Sequence, residues 1–310
     1  MRGTIIKSTG SLYYVLDEHN QQFVCKLKGN FKIKGIKSTN PIAVGDKVEF
    51  ELFPEQNIGQ IYKIEERQNY IIRKATKLSK QSHIIAANID QLVLIVTLAN
   101  PRTSTGFIDR FLVTAEAYHI PTSIVINKID LYSEVVERKI NDLIDIYELI
   151  GYKCYKVSAF NGIGTDTFKQ LLKGKVSLLA GHSGVGKSTL IKAIEPSFNL
   201  KTKEISSSHS KGVHTTTFAE MLLLSNGGFI IDTPGIKEFG IVDFNKNDLS
   251  QRFPEMRKLM QLCQFNNCTH THEPKCAVKI ALDEGKISAS RYTNYLNMLN
   301  NVETEEEEWE

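Results

Sequence analysis

The strongest constraint on the fold of this chain is a phosphate-binding loop at residues 181–188, GHSGVGKS, which has the complete Gly-x₄-Gly-Lys-Ser spacing. It follows an apolar run at 176–180 and opens a segment of helical period at 188–194, as this motif requires. The backbone amides of such a loop and the helix N-terminus bind phosphate groups. We therefore predict nucleotide contacts from Gly181, His182, Ser183, Gly184, Val185, Gly186, Lys187, Ser188 and Thr189.

Strands and helices alternate around this loop. Apolar or alternating runs at 91–98, 122–126, 152–157 and 176–180 have the character of strands, and 108–119 and 133–150 have helical period. This order predicts a parallel α/β sheet with helices on both faces.

Base recognition is predicted from Asn127-Lys128-Ile129-Asp130, which directly follows a strand. The Asp130 carboxylate can accept from two donors of guanine, whereas adenine offers no matching pair. Ser158-Ala159 follows the next strand and is predicted to supply a backbone amide to the base. The sequence therefore predicts a guanine nucleotide.

The γ-phosphate and Mg²⁺ contacts are predicted in the second half of the site. Asp232 and Gly235 lie in Asp-Thr-Pro-Gly after a strand, and we expect Asp232 to contact Mg²⁺ and the Gly235 amide to contact the γ-phosphate. The Ser188 hydroxyl is a predicted Mg²⁺ ligand, and either Thr215 or Thr216 is expected to complete the set.

The motif order is circularly permuted, because the base-recognition motifs at 127 and 158 precede the phosphate loop. The segment 232–235, predicted to contact the γ-phosphate and here called the switch segment, consequently runs straight into the C-terminal region. We therefore expect the C-terminal region to sense hydrolysis. Ile236 follows Gly235, and an aliphatic side chain cannot orient water. We therefore expect slow intrinsic hydrolysis and name His214 as the candidate catalytic residue; contact with a partner or phosphate is an equal alternative.

The N-terminal 72 residues read as short alternating strands punctuated by glycines, and we predict an all-β barrel of the OB type. Residues 1–80 contain 14 Lys and Arg but 8 Asp and Glu. With Tyr13, Tyr14, Phe23 and Phe31 interspersed, this indicates an RNA-binding face. A plain solvated barrel face is the alternative, and these aromatic residues equally suit a core.

Three of the five cysteines cluster near the C-terminus in Cys263-x₄-Cys268-x-His270-x₅-Cys276. Three thiolates and an imidazole in a polar loop form a structural zinc set, with no open position for catalysis. His272 is a competing imidazole. Helical segments at 277–284 and 288–299 follow, so we expect a mainly helical zinc-binding domain.

Together these motifs resemble the family of ribosome small-subunit-dependent GTPases, RsgA, also called YjeQ. The resemblance covers nearly the whole chain and includes Gly212-Val-His-Thr-Thr216, Asp232-Thr-Pro-Gly235 before an aliphatic residue, and the cysteine segment. It implies an OB-fold that binds ribosomal RNA, GTP hydrolysis stimulated by the small subunit, a role in late subunit maturation, and His270 as the fourth zinc ligand. Val213 departs from the basic or polar residue common there.

We expect a cytoplasmic monomer, because no apolar run approaches a membrane span and the N-terminus lacks a signal sequence. The predicted domains are a barrel at 1–72, a permuted GTPase domain at 73–237, a zinc-binding helical domain at 238–302 and a disordered acidic tail at 303–310. A P-loop ATPase or kinase is disfavoured by Asp130. A nucleotide-regulated RNA-binding module with negligible turnover is the remaining alternative.

Overall fold

The computed structural model describes residues 1–28, 41–53, 58–73, 83–198, 219–232 and 246–307. At 73, 83, 232, 246–247 and 301–307 only the backbone is described. The predicted site residues His214, Thr215, Thr216 and Gly235, and the aromatic Phe31, lie outside these ranges. Within them, no helix combines the length and apolar character needed to cross a membrane.

A closed barrel is formed by β1 (Arg2–Ser8), β2 (Tyr13–Asp17), β3 (Gln22–Leu27), β4 (Lys47–Leu52) and β5 (Gly59–Ile64). The strands follow the order β1–β2–β3–β5–β4, and β1 also pairs with β4 to close the cylinder. Alternate residues such as Ile5, Val15 and Phe50 fill the interior, as the two-residue period of a strand requires. The predicted OB-type barrel is confirmed.

A two-stranded sheet, β6 (Tyr70–Arg73) and β7 (His83–Ala87), lies between the barrel and the central sheet. A backbone bridge joins Val44 of the barrel segment to Ala86 of β7. Nearby, the buried Arg67 guanidinium pairs with the Asp46 carboxylate, with Nε 2.6 Å from Oδ1. These contacts attach the barrel to the rest of the chain.

The central sheet contains β8 (Gln91–Val96), β9 (Thr122–Ile126), β10 (Lys153–Lys156), β11 (Val176–Ala180), β12 (Glu220–Leu223) and β13 (Phe229–Asp232). Its order is β10–β9–β8–β11–β13–β12; the first five are parallel and β12 is antiparallel. Every residue of β8 is buried, with Leu92 and Leu94 in one core and Val93 and Ile95 in the other. Such a strand is covered on both faces, which confirms the predicted α/β layering.

Helices α1 (Thr105–Ala117) and α2 (Glu134–Leu149) contribute Phe111 and Ile140 to one core. Helices α3 (Thr165–Leu172) and α4 (Lys187–Ile194) contribute Phe168 and Leu190 to the other. α1 begins at the N-cap Ser104, whose hydroxyl accepts from the Phe107 amide.

The C-terminal region contains α5 (Lys246–Leu249), α6 (Pro254–Arg257), α7 (Ala277–Asp283) and α8 (Ala289–Glu307), with 3₁₀ turns at Ser250–Arg252 and Met260–Leu262. Its apolar core includes Phe253 and Tyr295 and also takes in Val113 of α1. The region is therefore packed onto the central domain through α1. The backbone is helical to Glu307, although the sequence predicts disorder from 303; glutamate is a good helix former.

Candidate functional site

The nucleotide motifs meet at one edge of the central sheet. Asn127 follows β9, Ser158 follows β10 by two residues, the phosphate loop follows β11, and β13 ends at Asp232. Because these strands are parallel, their carboxyl ends lie on the same edge, where sheets of this type bind ligands. The sheet order thus brings together segments that are far apart in the permuted sequence.

The Asn127 side chain joins the base motifs to the phosphate loop. It is buried; its Nδ2 donates to the Val185 carbonyl at 2.8 Å, and its Oδ1 accepts from the Ala159 amide at 3.2 Å. The Tyr132 hydroxyl donates to the Asn127 carbonyl at 3.0 Å. The amide side chain therefore organises the site, because it already binds both neighbouring loops.

Asp130 is held at the rim of this edge by the buried Ser158, whose hydroxyl donates to the Asp130 carboxylate. The Asp130 side chain itself is exposed. Lys128 adopts a left-handed backbone conformation, with φ of 63°, and its Nζ donates to the Asn100 carbonyl at 2.6 Å. An oriented, accessible carboxylate is what recognition of two donors on a base requires.

The glycines of the phosphate loop are required by close backbone approaches. At Gly181, with φ of +145°, a Cβ would lie 2.2 Å from the Ile95 carbonyl oxygen. At Gly186, with φ of +92°, it would lie 2.4 Å from Asn127 Nδ2. The Lys187 ammonium points into the loop, where it donates to the Gly181 carbonyl at 2.7 Å. The Lys187 ammonium group is thus placed at the centre of the 181–188 turn.

The loop after β8 and the first turn of α1, which the sequence did not predict to be part of the site, lie against the phosphate loop. The ring of Phe107 packs on the His182 imidazole with centroids 3.8 Å apart, and Pro101 lies beside Gly184. Burial, together with the Lys187 charge, lowers the pKa of His182, which favours the neutral imidazole in this contact. The sequence could have predicted this position, because the loop follows a buried strand of the same parallel sheet.

A cluster of four potential metal ligands lies in the C-terminal region, where the ligand atoms of Cys263, Cys268, His270 and Cys276 all lie within 4.8 Å of one another. Cys263 Sγ is 3.7 Å from His270 Nδ1 and 3.9 Å from Cys276 Sγ. All three cysteines are free thiols. This donor set could hold a metal ion, and the structure brings all four predicted ligands together.

The loop that carries the cluster is fixed by Glu273. Burial opposes ionisation of its carboxyl group, but hydrogen bonds from Thr269 and Thr271 lower the pKa of Glu273 to about 2. The competing His272 is exposed and lies beside the Thr271 hydroxyl instead of in the cluster. Among the described residues, His270 Nε2 is buried without a hydrogen-bond partner, and His270 Nδ1 lies 3.3 Å from Cys276 Sγ.

A buried charge network links the C-terminal region to the central domain. Arg291 of α8 donates to Asp109 of α1 at 2.5 Å and also pairs with Glu255 of α6. The Tyr147 hydroxyl and the Asn294 amide donate to the same Asp109 carboxylate. Helix α1, which carries Phe107 against the phosphate loop, is therefore held by the C-terminal region.

Among the described aromatic residues of the barrel, only part of the predicted pattern is available to a ligand. Tyr13 is buried, and Phe23 packs on Phe50 with ring centroids 5.4 Å apart. Tyr14 is partly exposed, and the Lys7 ammonium lies 6.0 Å from its ring centroid. The basic and aromatic pair at Lys7 and Tyr14 is thus the part of the pattern that faces outward.

Comparison with known proteins gives two family matches that together span most of the chain. The model of the RsgA GTPase matches residues 64–242, and the model of the RsgA N-terminal domain matches residues 2–61. A relative from Phocaeicola vulgatus, named small ribosomal subunit biogenesis GTPase RsgA, is 55% identical over 303 residues, covering 98% of this chain and 97% of the relative. A relative of the same name from Christiangramia forsetii is 53% identical over 305 residues, covering 98% of this chain and 97% of the relative.

Two solved structures share the whole fold. The crystal structure of YjeQ from Thermotoga maritima is 37% identical, with a TM-score of 0.80 over 97% of this chain and 98% of that one. The structure of YloQ, described as a circularly permuted GTPase, is 31% identical, with a TM-score of 0.78 over 98% of this chain and 95% of that one. The similarity therefore extends across the barrel, the central sheet and the C-terminal region.

Proposed function

The chain belongs to the RsgA GTPase family and is a GTP hydrolase, and on this basis we propose that it binds the small ribosomal subunit and assists its late maturation. GTP is hydrolysed to GDP and phosphate, with stimulation by the subunit. The observation that carries this proposal is the convergence of the base motif, the Ser-Ala loop, the phosphate loop and the end of β13 at one sheet edge in permuted order.

We propose the following roles for the residues of the nucleotide site. The Asp130 carboxylate and the Ala159 amide bind the guanine base, Asn127 holds their loops, and the amides of 181–189 with Lys187 bind the phosphates. Ser188, Asp232 and either Thr215 or Thr216 would hold Mg²⁺, and Gly235 would contact the γ-phosphate. When bound, Mg²⁺ neutralises charge that develops on the phosphate oxygens.

His214 is the residue that we propose for positioning the attacking water, because Ile236 cannot do so. Replacing His214 with Ala is expected to lower subunit-stimulated turnover about 10²–10⁴-fold, the usual contribution of a general acid or base, while nucleotide affinity is retained. Phosphate release with saturating subunits measures the stimulated turnover. Titration with a fluorescent GDP analogue measures the nucleotide affinity. The exposed His119 on α1's C-terminal side provides a matched His→Ala control. Unchanged stimulated turnover would remove His214 from catalysis.

We propose that the metal cluster binds one structural Zn²⁺, because three thiols and an imidazole are the donors that Zn²⁺ prefers and they leave no open position. Purified chain should contain about one zinc per molecule. His270→Ala should lose most of this zinc, and His272→Ala should keep it, since only the former removes a ligand. Metal analysis after purification without chelator measures both variants. Zinc-free wild-type protein, or equal loss from both variants, would contradict the assignment.

The barrel is proposed to contact ribosomal RNA, and a role in subunit maturation implies a cytoplasmic protein, which we expect to act as a monomer. A nucleotide-regulated RNA-binding module with negligible turnover is the alternative. The two are separated by phosphate release from GTP with and without purified small subunits, at two salt concentrations because RNA phosphate contacts weaken as salt rises. Stimulated release supports the GTPase. Subunit binding without release supports the module.

A further inference from the structure

The barrel and the central sheet are joined edge to edge where β1 pairs with β12. Lys7 stands opposite Glu220 in this pairing, and its Nζ lies 3.2 Å from Glu220 Oε1. On its other side Glu220 stands opposite Asp232, the last residue of β13. Directly opposite residues of antiparallel strands have Cα atoms about 4.5–5.5 Å apart. A row of three positions therefore runs from the barrel to the strand end proposed to hold Mg²⁺.

Glu220 occupies a special position in this row. It begins β12, four residues after Thr216 in the sequence, and it pairs with Asp232 at the end of β13. Glu220 is therefore the direct cross-strand neighbour of the strand end that we propose to contact Mg²⁺. A change of charge at Glu220 acts on the Asp232 position through a short distance.

Lys7 is accessible to a second anionic partner besides Glu220. Its side chain is 39% exposed, and it is the basic member of the outward-facing pair with Tyr14. An exposed lysine beside an aromatic ring suits an RNA strand, because the ammonium contacts phosphate and the ring contacts a base. An RNA phosphate and the Glu220 carboxylate would then compete for the same cation.

We propose that Lys7 and Glu220 form a charge link through which RNA on the barrel tunes the Mg²⁺ site, with Lys7 as a positioning residue. An RNA phosphate that engages Lys7 leaves the Glu220 charge less compensated and adds its own negative charge. The field at the Asp232 position then favours the divalent cation more strongly. The link rests on the proposed function, since it presumes an RNA-binding barrel and Mg²⁺ at Asp232.

The test is the Mg²⁺ dependence of binding of a fluorescent, non-hydrolysable GTP analogue at low salt. Lys7→Gln is expected to lower the half-saturating Mg²⁺ concentration about two- to fivefold, and Glu220→Gln to raise it by a similar factor. The double variant should return near the wild-type value. A merely structural pair would shift both single variants in the same direction, because either substitution breaks the same contact.

Lys63 provides the matched control, since its Nζ lies 2.8 Å from Glu49 Oε1 within the barrel itself. Lys63→Gln should leave the Mg²⁺ dependence unchanged. Adding small subunits should lower the half-saturating Mg²⁺ of the wild type, and this decrease should be lost in Lys7→Gln. Single variants that match the wild type, or that shift together, would overturn the charge link. Wild-type protein without Mg²⁺-dependent analogue binding would instead contradict the proposed function.

Discussion

Replacing Asp130 with Asn is expected to weaken GTP binding about 10²–10³-fold and to create binding of xanthosine triphosphate. In the proposed site the Asp130 carboxylate accepts from two donors of guanine, whereas an amide presents its own donors to them. Xanthine carries a carbonyl oxygen in place of the exocyclic amine, so the amide of the variant can donate to it. Equilibrium titration with fluorescent analogues of both nucleotides measures the exchange.

Asp166 is a suitable control for this substitution, because it is an exposed acid in the first turn of α3. Asp166→Asn should retain the wild-type preference for GTP. The fold of the Asp130 variant should be intact, since the Ser158 hydroxyl can donate to the amide oxygen as it does to the carboxylate. Equal binding of GTP by the wild type and the Asp130 variant would contradict the guanine assignment.

Arg291→Met is expected to destabilise the packing of the C-terminal region on α1 by about 3–5 kcal/mol. The substitution leaves the Asp109 and Glu255 carboxylates buried without their cation. Burial opposes the charge of the guanidinium, but these two carboxylates raise the pKa of Arg291 above its ordinary value. Arg291 also lies 4.8 Å from the Phe253 ring centroid, so ring packing is lost with the charge.

The matched control is Arg257 of α6, which also pairs the C-terminal region with α1, through Glu116 at 2.8 Å, but has a side chain that is 49% exposed. Arg257→Met should cost under about 1 kcal/mol, because solvent screens an exposed ion pair. Thermal unfolding should show a midpoint lowered by roughly 5–15 °C for Arg291→Met and by little for Arg257→Met. Adding Asp109→Asn and Glu255→Gln to Arg291→Met should recover part of the loss. Equal midpoints for the two arginine variants would show that the buried network contributes no more than a surface pair.

The layered α/β fold could be predicted because β8, β9 and β11 are short, continuous apolar runs followed by motifs with known chemistry. The barrel could be predicted from alternation and glycine spacing. The metal cluster needed no tertiary information, since all four ligands lie within fourteen residues. Each of these features is predicted by residues that lie close together in the sequence.

The parts that could not be predicted depend on contacts between distant segments. Nothing in the residues around Arg291 indicates that it meets Asp109, which precedes it by 182 positions. The residues alone leave His270 and His272 as alternatives; the family resemblance selects His270, and the structure places His270 in the cluster. The strand β12, with four residues and no clear alternation, becomes recognisable only through its pairing with β13 and β1.

The packing of the C-terminal region also changes how this region is expected to sense GTP hydrolysis. The sequence predicts that the C-terminal region senses hydrolysis through the segment after Gly235. The structure adds a second connection, because α1 carries both Phe107, against the phosphate loop, and Asp109, in the buried network with Arg291. We therefore propose that the region responds to the phosphate loop through α1 as well as through the switch segment.

We propose that base recognition, hydrolysis and response to the small subunit all belong to one site. The decisive measurement is phosphate release from xanthosine triphosphate by the Asp130→Asn variant, with and without purified small subunits. We expect subunits to stimulate this release as they stimulate GTP hydrolysis by the wild type, and release from GTP by the variant to be lost. Subunit-stimulated release from GTP that persists in the variant would contradict the claim, because hydrolysis would then occur at a site that Asp130 does not control.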